Sequence, residues 1–120
     1  MNFVSQRVDG MSFEELDAAA ATEVLGWKAP PRFNRWATSV HGDFLPVWRP
    51  SRDKQQAMQV WQRALEITRS TKASLPHDAC RTAEIYVNGT ILGCAHCGTQ
   101  AEAITRCAVE AVETWLQSHG

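Results

Sequence analysis

Thr82-Ala83-Glu84-Ile85-Tyr86-Val87-Asn88-Gly89-Thr90-Ile91-Leu92-Gly93-Cys94-Ala95 decides the fold of this chain. Up to Val87 the residues alternate: Ala83, Ile85 and Val87 on one side, Thr82, Glu84 and Tyr86 on the other. That is the period of a half-buried strand. Asn88-Gly89 follows, and both residues tolerate the positive φ that a type I′ turn demands, so the chain reverses and returns as a strand over residues 90–95. Working forward, Thr99-Gln100-Ala101-Glu102 has the form of a capping box. Ile104, Ala108, Ala111 and Trp115 then continue as one helical face. A hairpin followed by a helix makes the chain α+β.

Working backward, residues 70–81 read as a polar loop. Before it, Ala57, Val60, Trp61, Ala64, Leu65 and either Ile67 or Thr68 keep the three-and-four spacing of one buried stripe, with Ser51 or Asp53 as N-cap. Between Trp27 and Pro50, four prolines (Pro30, Pro31, Pro46, Pro50) break any helix, and the pattern predicts two short strands around 34–39 and 44–48, joined near His41-Gly42-Asp43. Nearer the start, Ser12-Phe13-Glu14-Glu15 is another capping box, with Met11 and Leu16 spaced as its hydrophobic staple. Its helix should run through the alanines to Leu25 with an acidic exposed face and stop at Gly26. Phe3 and Val4 are placed to add an edge strand. The expected product is a single domain over residues 1–120, an antiparallel sheet of about four strands packed against two to three helices.

Composition narrows the function classes. A chain of 120 residues holds one modest core, so oligomerisation is a plausible aid to stability. A net charge of −1 argues against coating of nucleic acid by bulk charge. The charge is nevertheless uneven: Lys28, Arg32, Arg35, Arg49, Arg52 and Lys54 outnumber Asp43 and Asp53 over residues 28–54, whereas Asp9, Glu14, Glu15, Asp17 and Glu23 face Arg7 alone over residues 1–25. No apolar run is long enough for a signal peptide or a membrane span. The expected location is therefore the host-cell cytoplasm, where Cys80, Cys94, Cys97 and Cys107 are reduced thiols or metal ligands rather than disulfides.

Three stretches carry a family resemblance: Thr22-Glu23-Val24-Leu25-Gly26-Trp27, Trp48-Arg49-Pro50-Ser51-Arg52-Asp53, and the segment from Glu84-Ile85-Tyr86-Val87-Asn88-Gly89 through Ala101-Glu102-Ala103-Ile104-Thr105-Arg106 to Val112. Together they resemble the phage ABA sandwich family, in which a sheet lies between helices. Members with an assigned role look like phage counter-defence proteins. The clearest are anti-Thoeris sponges that bind glycocyclic ADP-ribose signals, and sometimes cyclic oligonucleotides, without cleaving them. The resemblance implies homo-oligomers with ligand pockets at subunit boundaries, no metal and no cofactor. It also implies phosphate-holding arginines on the last helix. Arg106 sits where one would lie; one turn further on, this chain has Glu110. The competing reading of Arg106 is a solvated helix residue paired with Glu102 or Glu110.

The residues themselves point to an anionic aromatic ligand on separate grounds. Arginine makes bidentate contacts to phosphate and aromatic faces stack on purines, so Arg32, Arg35 and Arg49 with Trp36 form a candidate ligand set. For Trp27, Phe33, Trp36 and Trp48 core packing is the competing role. Asn88 joins the ligand candidates from the hairpin turn, although backbone conformation explains it as well.

A metal reading competes. In His77-x-x-Cys80 and Cys94-x-x-Cys97, pairing Val87 with Thr90 and counting back puts Cys80 opposite Cys97, so both knuckles would meet at the hairpin base as in a structural zinc site. Catalysis is less well supported. A Cys94/Cys97 redox pair would follow a hairpin rather than open a helix after a parallel strand. His41 and Asp43 sit in a glycine turn, and there is no glycine-rich phosphate loop or nucleophile elbow. The leading expectation is a non-catalytic protein that sequesters a small nucleotide immune signal. The alternative is a structural or protein-interaction module that forms a homo-oligomer or grips a host protein through tryptophans such as Trp61 or Trp115, with zinc-stabilised binding as a third reading.

Overall fold

The computed structural model describes residues 8, 10–27, 36–37, 44–45, 48–77 and 80–119, with the backbone alone at 36–37, 44–45 and 119. Helix α1 spans Phe13–Ala19 and opens on the anticipated capping box: Ser12 Oγ accepts the Glu15 N–H and Glu15 Oε1 accepts the Ser12 N–H, both at 3.1 Å. The alanine run then widens into a π-helical turn over Ala20–Val24, closed by the Leu25 N–H on the Ala20 carbonyl. Gly26, at φ +73°, ends it in the left-handed region, as a glycine stop requires. Strands β1 (Trp36–Ala37) and β2 (Phe44–Leu45) pair antiparallel in a two-stranded ladder.

Helix α2 (Lys54–Thr68) takes Asp53 as its N-cap, whose carboxylate accepts the Gln56 N–H at 3.2 Å. Its buried stripe is Ala57, Val60, Trp61, Ala64 and Thr68, so the last position falls to Thr68 rather than Ile67. The Thr68 hydroxyl tolerates this burial by donating to the Ala64 carbonyl at 2.8 Å.

The main sheet is antiparallel, in the order β3 (Lys72–Ser74), β4 (Thr82–Val87), β5 (Thr90–His96). Among the described residues it has three strands where about four were expected, and the strand near Phe3 and Val4 lies outside the described residues. Strand β3 corrects the reading of residues 70–81 as loop. Three residues give no alternation to detect; the backbone ladder to β4 fixes them, helped by Ser70 Oγ donating to the Tyr86 carbonyl at 2.8 Å. The β4–β5 turn is the one foreseen, with Asn88 at φ 50° and Gly89 at φ 83°.

Helix α3 (Gln100–His119) packs on β4 and β5 on one side and on α1, its π turn and α2 on the other. Every residue from Ala101 to Val112 except Glu102 is buried. The helix was expected to present one apolar face; it is enclosed instead. Contact with the sheet depends on small side chains: a Cβ added at Gly93 would lie 2.4 Å from the Cys107 carbonyl and 3.0 Å from the Ala111 Cβ. The α+β class holds. Among the described elements, the three-stranded sheet and the helices pack together, with α3 in contact with β4 and β5 and also with α1, its π turn and α2.

Candidate functional site

A cavity of about 440 Å³ opens where β5 turns into α3, lined by Cys94, Ala95, His96 and Cys97 from the strand end and by Glu102 and Arg106 from the first two turns of the helix. Local bonds hold its walls. Thr82 Oγ1 and His96 Nδ1 share a hydrogen bond of 2.7 Å across the strands, the Arg81 guanidinium donates to the Gly98 carbonyl, and Thr99 Oγ1 caps the helix by accepting the Glu102 N–H at 3.2 Å.

Arg106 is only 8% exposed, and each of its guanidinium nitrogens donates. Nε reaches Glu102 Oε2 at 2.8 Å, while the two terminal nitrogens reach the Val8 carbonyl at 2.5 Å and the Met11 carbonyl at 3.0 Å. The pairing with Glu102 expected from four-residue spacing is present, but in a buried clasp rather than in solvent. It ties α3 to the segment that precedes α1. Nothing local in the sequence signals the two carbonyls, which come from about a hundred residues away.

Of the other sequence candidates, Arg49 and Asn88 are described in full, and neither lines this cavity. Arg49 is exposed and lies one residue before Pro50, whose carbonyl accepts Thr105 Oγ1 at 2.9 Å; it is not part of the lining. Asn88 sits at the opposite end of β5, roughly 20 Å away at about 3.3 Å per strand residue, and its N–H donates to Thr71 Oγ1 at 2.8 Å. Arg32 and Arg35 lie outside the described residues, as do His41 and Asp43, and Trp36 is described by its backbone alone. Of the tryptophans, Trp48 is buried and Trp27 packs against it, with ring centroids 4.6 Å apart. Trp61 is 3% exposed, which removes it as a surface anchor; Trp115 is half-buried.

The register differs from the one counted for the zinc reading. Val87 does pair with Thr90, but a bulge near Ile85 and Tyr86 inserts Leu92, so Ile85 pairs with Gly93 and Thr82 with His96. The Cys97 N–H then meets the Arg81 carbonyl, which moves Cys80 one position away from Cys97. Among the described residues, no three His, Cys, Asp or Glu side chains are grouped to hold a metal ion. Cys107 is buried among apolar groups, which pushes its thiol well above its ordinary pKa.

Two polar features escaped the sequence reading. Asp17, counted above only among the acidic residues of 1–25, is buried: its Oδ1 accepts the Ser51 N–H at 2.8 Å and its backbone carbonyl accepts the Trp48 Nε1–H at 2.9 Å. Burial raises its pKa, with the Ser51 bonds opposing. The signal existed, since Asp17, Ala20, Ala21 and Val24 share one helical stripe. The second feature is on the outer sheet face, where the Tyr86 hydroxyl donates to Glu84 Oε2 at 2.9 Å and Lys72 Nζ lies 5.9 Å from the Tyr86 ring centroid. The bond to Glu84 raises the tyrosine pKa.

No protein-family model matches this chain, and no curated protein matches it. Among solved structures it is similar to a phage protein from Bacillus cereus ATCC 14579, at a TM-score of 0.62 and 17% identity over 86% of this chain and 94% of that one. At that identity the likeness is one of fold alone. No helix among the described residues is long and apolar enough to cross a membrane.

Proposed function

We propose that this chain is a non-catalytic binding protein that sequesters a small anionic nucleotide, with the β5–α3 cavity as its binding site. The observation that carries this reading is the buried Arg106 cation in the lining of a cavity of about 440 Å³, which falls within the roughly 300–1,000 Å³ typical of small-molecule sites. The cavity also borders the first turn of α3, and a helix N-terminus favours phosphate. Sequestration breaks no bond: affinity lowers the free signal below what its effector requires. The family resemblance adds the expectation of a homo-oligomer, with a neighbouring subunit completing the pocket.

The test is a thermal-shift screen of the purified protein against ADP-ribose, its glycocyclic isomers, and cyclic di- and trinucleotides. A ligand of the folded state stabilises it by about 2.7 kcal/mol at a hundredfold excess over Kd. A rise in Tm with intact ligand recovered on denaturation is the expected outcome; no shift across the set overturns it.

A protein-interaction module is the second reading. It is favoured by the exposed Leu116, which with Glu23, Glu113 and Gln117 lines a cavity of about 300 Å³. Half-buried Trp115 is its neighbour in α3, so this end of the helix offers apolar surface to a second copy or a host protein.

A further inference from the structure

We infer that Glu102 occupies the anion position of the β5–α3 cavity in the ligand-free chain, so that an incoming phosphate must displace its carboxylate from Arg106. The inference deepens the proposed function and rests on that reading for the identity of the natural ligand. Three observations support it. Of the groups that Arg106 bonds, the Val8 and Met11 carbonyls are neutral and Glu102 alone carries charge. A guanidinium this far from water needs a counter-charge, so the Nε partner can be exchanged only for another anion. The two partners also differ in access: the Glu102 side chain is 19% exposed against 10% for Arg106, and both line the cavity. Glu102 can therefore swing toward solvent while Arg106 stays clamped to the carbonyls. Glu102 thereby sets a threshold: only a ligand that supplies at least one negative charge at that point competes, and its affinity is reduced by the cost of evicting the carboxylate.

The test uses inorganic pyrophosphate, which carries no base or sugar, titrated into the full chain as wild type, Glu102→Gln, Arg106→Lys and the double variant. Binding is read by calorimetry and by the assigned Arg106 Nε–H resonance. Glu102→Gln should bind pyrophosphate at least tenfold more tightly than wild type and shift that resonance, and the gain should vanish when Arg106→Lys is added. Equal affinity in wild type and Glu102→Gln, or a gain that survives Arg106→Lys, overturns the inference. Should Arg106→Lys fail to fold, the resonance decides alone: no movement in Glu102→Gln on addition of pyrophosphate overturns it. Failure of the nucleotide screen on wild type would sink sequestration without deciding this titration, so the two proposals fail separately.

Discussion

Gly93 and Cys107 meet backbone to backbone: the Cα of the strand residue approaches the carbonyl of the helix residue so closely that a Cβ would sit 2.4 Å from the oxygen. Neither partner can yield cheaply, because one belongs to a paired strand and the other to an enclosed helix. Gly93→Ala should lower stability by about 1–3 kcal/mol or more, the usual cost of overpacking. Urea denaturation reads it directly. A variant within about 0.5 kcal/mol of wild type, the scatter of neutral surface changes, would show that β5 can lift off α3.

Asp17 gives a pH-dependent prediction. Its folded pKa lies above the ordinary 3.8 because burial outweighs the hydrogen bonds from Ser51. Raised in this direction, the group contributes stability that is fully present below about 3.8 and is lost as pH rises through the folded value. Asp17→Asn keeps an Oδ1 acceptor for the Ser51 N–H without a charge to bury. The variant should match or exceed wild-type stability at neutral pH, and the difference should move in favour of wild type as pH falls toward the ordinary carboxylate range. A difference that stays constant with pH would remove Asp17 as its source.

Tyr86 is the one tyrosine of the chain, so phenolate absorbance reports it without assignment. The hydrogen bond to Glu84 Oε2 favours the neutral phenol, and its titration should lie above 10.0. Glu84→Gln should bring the midpoint down. An unchanged midpoint would mean that the pair does not persist in solution.

The four cysteines should separate by reactivity. Cys80 and Cys94 are exposed, Cys97 is half-buried, and Cys107 is both buried and raised in pKa. Because the thiolate is the nucleophile, maleimide labelling of the native protein should take Cys80 and Cys94 first and leave Cys107 until denaturation. Prompt native labelling of Cys107, seen by peptide mass, would contradict the enclosure of α3.

What the sequence made legible is what is decided within a few residues: the Ser12–Glu15 capping box, the glycine stop at Gly26, the Ala57-to-Ala64 stripe and the Asn88-Gly89 reversal. What it hid is decided across the chain. The Leu92 bulge adds a residue to β5 with no compositional mark, and this one-residue slip separated Cys80 from Cys97. Burial of Arg106 depends on carbonyls at Val8 and Met11, so a residue that reads locally as a solvated helix cation becomes a clasp. Of the candidate site, Arg106 was named as a phosphate-holding residue that the family resemblance implies, with a solvated pairing to Glu102 or Glu110 as the competing reading. The cavity that Arg106 and Glu102 share with Cys94–Cys97 needed the strand-to-helix geometry to be seen.

The enclosure of α3 also bears on how sequences of this fold can diverge. A helix with solvent on one side leaves about half its positions free to drift. Here almost every position from Ala101 to Val112 answers to a neighbour, and several admit only small side chains. Variation is therefore pushed outward, to the exposed face of the sheet, the turn at Asn88-Gly89 and the polar face of α2. Sequences that adopt this fold should keep the volume profile of this helix while rewriting the surface around it.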